Sequence, residues 1–582
     1  MAKIVLWNSI SSRKRSPTDG FLEDGLVALR DFLRSNNHSL EIVDWQKIGF
    51  FSTLCPKPLL YLNRASTKFI FYLAGKNEIY AKVYFPIFAF IQDVVSFFQK
   101  RKIKKNLKKL ADSLIKSGTK IFGAQVWYGE AFELSDWIAS YIKEKDPSVL
   151  TIATGFQATL YEEDLLKNSN FDMGIISDEE KPMKIILDIA DKHTKNWNKQ
   201  KVLGEIIKSA ESEELLNIIY RKGSKIILTK RYFPDIKNKI IPAYDESDFE
   251  GKLRIHKITD AFGCPWGKCN FCTHSHFYRG YLPRDVNNIV DEIELMQKKG
   301  IGLFKFTGSE TPPQFGAEIA REILNRKLNI KYAVFCRAVH DINDSGEFFE
   351  SIVNNFELML KAGLVSIFIG GECANDRINK EIMNKEANRE DIINTVKAFR
   401  KAQERTGVKA YAGLALIYPT PLLEGITLED VFNDDFALIK EIEPDTVIVS
   451  PSTPFKNTAW YKDKKRFGFS IPEDFINKFI KYEYVLYKPP SFWPSMGNVS
   501  LNGMGFKKGL EECERLRRAV EDLGIPTDIS DDCFLVAVGS GYEGKDGLMK
   551  FKRETSLDLV SADYQNIKRI TEAVNKYSTN VS

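Results

Sequence analysis

Apolar positions along this chain alternate between short runs at strand spacing and longer runs at helical spacing, with turn residues between them. At the front, Lys3–Trp7, Leu40–Val43, Lys120–Ala124, Val149–Ala153 and Asp172–Ile176 read as strands. Leu22–Asn36, Glu130–Glu144 and Pro182–His193 read as helices, and a helical insertion fills about 46–118. The rhythm resumes with strands predicted at Lys257–Phe262, Leu303–Phe306, Lys331–Phe335, Val365–Ile369, Lys409–Leu416 and Asp445–Val449. Helices are predicted between them at Asp285–Lys298, Ala317–Leu324, Glu347–Ala362, Arg389–Arg405 and Leu428–Ile442. Repeated units of this size form parallel sheets with right-handed crossovers.

The expected fold class is therefore α/β. A Rossmann-like doubly wound domain spans 1–199 and a partial (βα)6 barrel spans 251–465. The intervening 200–250 reads as a linker with a polar helix near Ser209–Arg221 and a strand near Lys225–Thr229. A small α+β cap covers 466–582, with an aromatic-rich stretch at Phe475–Leu486, a turn at Pro489-Pro490 and an amphipathic helix at Lys507–Leu523. Asp531–Ser540 reads as a strand with a glycine turn, and Phe492 and Trp493 are candidates to line a pocket.

Composition narrows the classes. The chain has 582 residues with 83 basic and 78 acidic side chains, near balance, so no obligatory nucleic-acid partner is implied. The basic run Lys100–Lys109 predicts the solvated face of a helix. No signal peptide is expected at the start, and the most apolar stretch, Val83–Phe98, carries Gln92 and Asp93 and is too short to span a bilayer. It predicts a buried or surface-lying helix. Eight cysteines, three clustered and five scattered, do not form a disulfide framework, which fits a reducing cytoplasm.

The clustered three carry the chemistry. Cys264, Cys269 and Cys272 fall within nine residues, with Gly263 and Gly267 permitting a tight wrap and Phe271 placed to shield one face. A cubane iron–sulfur cluster is saturated by four thiolates, so three leave one iron open to a substrate or cofactor. Zinc is the alternative, with His274 or His276 as a fourth ligand, and three structural thiols are another. In βα barrels the chemistry lies at the C-terminal strand ends. There the chain places Gly308-Ser309-Glu310, Arg337 and Gly370-Gly371-Glu372. Glu310 as a helix cap and Arg337–Glu372 as a structural ion pair are the plainer readings. Cys336 and Cys373 adjoin these groups and are candidate catalytic thiols, with inert burial as their alternative.

At these residues, from about Lys257 to Tyr461, the sequence resembles the radical S-adenosylmethionine (SAM) superfamily. Its cysteine spacing departs from the superfamily's usual one, because four residues rather than three separate Cys264 from Cys269. The resemblance implies a 4Fe–4S cluster on Cys264, Cys269 and Cys272 whose open iron chelates SAM. It implies that Gly308, Ser309 and Glu310 contact the SAM amino group, Arg337 its carboxylate and Glu372 the ribose hydroxyls. Ile367 and Leu414–Leu416 would form the apolar bed under adenine.

The front domain, placed before such a barrel, looks like that of the cobalamin-dependent radical SAM family. The resemblance rests on Gly155-Phe156-Gln157-Ala158-Thr159 after the fourth strand and on the acidic segment Asp178-Glu179-Glu180. It implies cobalamin contacts from Gly155, Phe156 and Gln157 and from Ser9, Val126 and Trp127. The plainer alternative is a degenerate Rossmann-like domain kept for packing. No Gly-x-Gly-x-x-Gly follows the first strand, so a dinucleotide is not expected. Asp191-Lys-His193 is a chance echo of another cobalamin motif, and no protein histidine is expected on the cobalt. The insertion is expected to fold over the corrin or contact a substrate. The implied activity is reductive SAM cleavage and modification of an unactivated carbon, with methyl transfer expected and ring closure, rearrangement or oxidation as the alternative. A flavodoxin or ferredoxin would supply electrons, and the substrate is a small molecule or a peptide. A non-catalytic zinc protein is the reading from a different class.

Overall fold

The computed structural model describes residues 1–76, 78–233, 236–237, 239–483 and 493–581. Phe492 and the Pro489-Pro490 turn lie outside them. Two parallel sheets organise the chain. The first contains β1 (Ile4–Asn8), β2 (Leu40–Asp44), β3 (Ile121–Gln125), β4 (Leu150–Thr154), β5 (Met173–Ile175), β6 (Ile218–Lys222) and β7 (Lys225–Leu228). Their order is β2-β1-β3-β4-β5-β6-β7, so strand order reverses between β1 and β3. That switch point leaves a crevice at the strand C-termini. β1, β3, β4 and β5 are near-continuous apolar runs, as strands covered on both faces must be, whereas the edge strand β2 buries only Leu40.

β6 and β7 form an antiparallel hairpin that extends this sheet from β5. The segment read as a linker is thus partly sheet edge. The polar helix expected at Ser209–Arg221 lies earlier, at Lys199–Glu211, and Ile218–Lys222 is strand. Three buried β-branched or aromatic residues in a row, Ile218, Ile219 and Tyr220, decide it.

The second sheet holds β8 (Ile255–Ile258), β11 (Leu303–Phe306), β12 (Lys331–Arg337), β13 (Leu364–Glu372), β14 (Tyr411–Ile417) and β15 (Thr446–Ser450), all parallel and in sequence order. A two-strand ladder, β9 (Ala261–Phe262) with β10 (Leu282–Pro283), brackets the cysteine loop. Alternate residues divide this sheet's contacts. Tyr332, Val334, Cys336, Ile367, Ile369 and Leu414 pack outward against the helices. Ala333, Phe335, Val365, Phe368 and Ala415 face inward.

What fills the inside is the segment expected to be a strand. Asp531–Gly539 is a helix capped by Ser530, and it sits against β11, β12 and β13. Phe534 stacks on Tyr411 at 5.2 Å, and Asp531 pairs with Lys305. Cys533 to Ala537 are all buried, so the helix has no polar face and gave no 3.6-residue signal.

The insertion is a helical hairpin, Lys57–Lys76 and Glu78–Lys116. The apolar stretch lies within a 39-residue helix. By length and composition Ile79–Lys116 is long and apolar enough to cross a membrane, and only 11% of its most apolar window is buried. Of the insertion 46–118, Gln46 and Phe51 line the cavity over the switch point, and no described residue of 57–116 lines either cavity at the first sheet's strand ends.

Candidate functional site

The cysteine loop runs from β9 to the short helix His274–Phe277 and is clamped by backbone contacts to the turn after β13. Trp266 Nε1 donates to Asn384 O at 2.7 Å, Asn270 N to Met383 O at 2.9 Å, and Asn384 Nδ2 to Lys268 O at 2.7 Å. Gly263 has φ +73°, and a Cβ there would lie 1.8 Å from Gly280 O, so only glycine fits beside Cys264. Phe271 is anchored against Trp460, ring centroids 5.7 Å apart.

All three cysteines are free and partly exposed. Burial raises each thiol pKa, with Cys269 at about 12 and neighbouring Cys272, Glu372 and Cys264 adding to the shift. Among the described residues no three His, Cys, Asp or Glu side chains converge on one ion-sized point. A cubane needs no such convergence, because each thiolate binds a different iron. His276, a candidate fourth zinc ligand, is engaged elsewhere: its Nε2 lies 2.8 Å from Arg231, 2.9 Å from Asn457 and 3.4 Å from Glu162.

The strand-end groups gather around this loop as two linked ion pairs. Cys264 Sγ donates to Glu310 Oε2 at 3.2 Å, Arg337 Nε reaches the same oxygen at 2.6 Å, and Arg337 Nη1 reaches Glu386 at 2.9 Å. Burial works against the Arg337 charge, but Glu310, Glu386 and Cys264 together outweigh it and raise its pKa. Glu372 and Lys385, both buried, pair at 2.7 Å. Burial likewise opposes the Lys385 charge, and Glu372 and then Cys269 outweigh it. The Arg337–Glu372 ion pair, the plainer alternative for these residues, does not form; each takes another partner.

Backbone irregularity aims Glu372. The β13–β14 register slips between Gly370 and Glu372, and Glu372 takes φ +63°. A bulge of this kind turns a side chain out of the pleat. A Cβ on Gly370 would sit 2.7 Å from Glu372 Oε1 and 3.1 Å from Lys385 Nζ, so the pair occupies the space that the glycine leaves.

Two residues that the sequence reading missed brace the Gly308-Ser309-Glu310 turn and its surroundings. Asp260 accepts from Gly308 N at 2.8 Å and from Thr311 Oγ1 at 2.7 Å, and burial raises its pKa to about 6. It was hidden inside a predicted strand that in fact breaks before β9. Lys385 sits in an irregular turn that no periodicity marks. Ser309 Oγ and Tyr281 OH are buried without a partner, acceptors or donors available to a polar ligand.

Several expected site residues lie elsewhere. Cys336 and Cys373 are 1% and 0% exposed in the barrel core, with their thiols shifted upward by burial. They are core residues rather than catalytic thiols: strand alternation points Cys336 at the helices when Arg337 points into the mouth. Leu414 and Ile367 face the helices for the same reason and cannot underlie an adenine. The inward positions are Phe335, Phe368 and Ala415.

In the first domain a cavity of about 390 Å³ opens at the ends of β4 and β5. Gln125, Gly155, Phe156, Thr159 and Ser177–Glu180 line one side, and Phe262, Phe277 and Tyr278, flanking the cysteine loop, line the other. Phe156 meets Phe277 edge-on at 4.8 Å. Gly155 N donates to Glu179 at 2.8 Å. Burial raises Glu179 and Glu180 to about 7, with Asp178 adding to both. Gln125 Oε1, Gln157 Oε1 and Ser177 Oγ are buried without partners. Among the described residues no histidine lines the cavity, and His193 pairs with Glu205 at the far end of its helix.

Ser9 and Trp127 belong to a different cavity of about 210 Å³, over the switch point, with Arg13, Arg15, Lys257 and Asp532. Ser9 Oγ accepts from Trp127 N at 3.1 Å. Val126 is a core residue, and neither it nor Gln157 lines either cavity. Trp493 is buried against Tyr482 and serves packing.

Comparison with known proteins places these features. Residues 258–431 match the radical SAM superfamily model. Two anaerobic magnesium-protoporphyrin IX monomethyl ester cyclases are similar. The one from Cereibacter sphaeroides is 26% identical over 218 residues, 36% of this chain and 32% of the relative. The one from Rubrivivax gelatinosus is 23% identical over 306 residues, 51% of each. The chain therefore spans about a third to a half of these relatives. Among solved structures, the radical SAM methyltransferase TsrM from Kitasatospora setae, with cobalamin and a [4Fe-4S] cluster bound, superposes with TM-score 0.60. It is 13% identical, and the match covers 95% of this chain and 99% of TsrM. The cobalamin-dependent SAM radical enzyme OxsB matches with TM-score 0.52 at 17% identity, over 80% of this chain and 56% of OxsB. These likenesses establish the shared fold.

Proposed function

We propose that this chain, whose residues 258–431 match the radical SAM superfamily model, is a cobalamin-dependent radical SAM enzyme that methylates an unactivated carbon. The observation that carries the proposal is the 390 Å³ cavity, whose walls come from the first domain's strand ends on one side and the cysteine loop's flanks on the other. One ligand held there would face whatever the cysteines hold. The cluster, when bound, supplies one-electron reduction of SAM, and cobalamin supplies a transferable methyl group.

The chain's own residues bind and orient. Cys264, Cys269 and Cys272 would hold the cluster. Since burial keeps their protons on, metal loading should release protons and favour mildly alkaline conditions. Glu310 and Ser309 offer acceptors to the SAM ammonium, Arg337 pairs with its carboxylate, and Glu372 accepts from ribose hydroxyls. Asp260 fixes the Gly308–Thr311 turn so that these acceptors need not reorganise when SAM arrives. Gln125 and Ser177 offer unpaired polar atoms to cobalamin's amide-rich periphery, and Phe156 and Phe277 an apolar wall. Free thiols throughout fit a reducing, cytoplasmic setting with a small electron-transfer protein as donor.

The curated relatives favour a second reading, ring closure or oxidation without methyl transfer. Anaerobic reconstitution with iron, sulfide, cobalamin and SAM, followed by a one-electron reductant such as dithionite, separates them: a methylated product with S-adenosylhomocysteine supports methylation, whereas 5′-deoxyadenosine alone supports the second reading. Replacing all three cysteines by Ala is expected to abolish the visible cluster absorption and SAM cleavage together. Cleavage surviving that change would refute the assignment.

A further inference from the structure

The helical hairpin 57–116 is chemically unlike the rest of the molecule. Of nineteen large apolar side chains exposed among the described residues, twelve lie between Tyr61 and Phe98. Folded domains seldom leave an apolar patch of that extent open unless something covers it. The same sixty residues carry thirteen Lys or Arg against three Asp or Glu, a net +10, while the whole chain carries only +5. Removing the hairpin would leave a body with net charge −5.

The two properties share one helical face. Val83, Ile87, Phe90 and Phe97 recur at helical spacing and are 57–73% exposed. Arg101, Lys105 and Lys108 continue that face and are also exposed. The face is apolar towards the hairpin tip and basic towards its root.

The opposite face is tied down. Asn63 donates to Ser561 O at 2.6 Å, and Arg64 pairs with Asp558 at 2.7 Å. Arg13 reaches Gln92 at 2.7 Å and Gln99 at 2.8 Å, and Ile70 and Phe88 pack on Val560. A hairpin sewn to the body by buried polar contacts cannot thread through a bilayer without breaking them, so only its outer face is available. Apolar side chains on the open side with cations beside them are features of an interfacial helix, while the inner face packs on the body through Phe88, Val95, Ile103 and Leu107.

We propose that this hairpin docks the enzyme on the surface of an anionic lipid bilayer. Val83, Ile87, Phe90 and Phe97 enter the boundary of the acyl region, and Arg101, Lys105 and Lys108 lie among the anionic headgroups. Two-fold pairing with a second copy of the chain is disfavoured, because it would bring two +10 surfaces face to face. The proposal does not depend on the cofactor reading, since its readout is binding.

Flotation of the full-length protein with vesicles tests it. The protein should float with vesicles of equal parts phosphatidylglycerol and phosphatidylcholine, float poorly with phosphatidylcholine alone, and bind more weakly at about 0.5 M salt. Arg101→Gln, Lys105→Gln and Lys108→Gln together should weaken binding by about 100-fold. Val83→Ser, Ile87→Ser and Phe90→Ser together should weaken it by a similar factor. All six positions are exposed, and unchanged circular dichroism would show that the fold is kept. Failure to float with anionic vesicles would overturn the proposal. So would binding unaffected by both variants, or a wild-type dimer in solution that the serine variant dissociates.

Discussion

The barrel mouth and the end of the first sheet both present polar groups at parallel strand termini, yet they are finished differently. At the barrel mouth nearly every charge already has a partner: Glu310 with Arg337, Arg337 with Glu386, Glu372 with Lys385. At the first sheet the buried acceptors Gln125 Oε1 and Gln157 Oε1 have none, and Glu179 and Glu180 stand together with pKa values near 7. A paired site is rigid before its ligand arrives and exchanges partners on binding. An unpaired one carries a desolvation cost that binding relieves. The first arrangement suits orientation of a small reactive molecule, the second suits retention of a large amide-rich one.

Breaking the pairing at the barrel mouth should have the largest effect. Glu372→Ala leaves Lys385 buried and uncompensated, so stability should fall by about 3–5 kcal/mol in denaturant titration. A loss below about 1 kcal/mol would mean that the pair is solvated. Gly370→Ala pushes a methyl group against both partners and should cost about 1–3 kcal/mol, with an accompanying rise in the SAM KM. Unchanged KM would show that the pair's position does not matter to SAM.

The first sheet should respond in the opposite sense. Gln125→Leu replaces a buried unpaired acceptor in the cavity wall by an apolar group of similar size, so the cofactor-free protein should gain about 1 kcal/mol while cobalamin binding weakens. Calorimetry reads both, and destabilisation would mean that the amide is paired after all.

The smallest effect is a pH dependence. Glu179 has a folded pKa raised to about 7 from 4.5, so the folded state holds its proton more tightly and loses stability as pH rises between those values. Glu179→Gln removes that loss while keeping an acceptor for Gly155 N. The variant's melting temperature relative to wild type should therefore climb from pH 4.5 to 7 and level off above. A flat difference would place the carboxylate in solvent.

Much of this was legible in the chain. Strand and helix rhythms located both sheets because buried parallel strands must be apolar and their crossover helices amphipathic. The cysteine spacing, Glu310, Arg337 and Glu372 were readable because βα topology delivers strand-end residues to one rim. Asp531–Gly539 was not, since a helix buried on all sides has no polar face to mark it. Nor were Asp260 and Lys385, whose importance comes from what lies beside them.

By itself, then, the sequence determined which segments bury themselves, where each strand ends and which reactive side chains stand at those ends; these depend on local spacing and hydrophobicity. Only the tertiary structure decided partners and facing: that Arg337 takes Glu310 and Glu386 rather than Glu372, that Cys336 and Leu414 turn toward the helices, and that an apolar basic hairpin stays uncovered. Those outcomes depend on pleat parity, a single-residue bulge and contacts between residues hundreds of positions apart, none of which local pattern encodes.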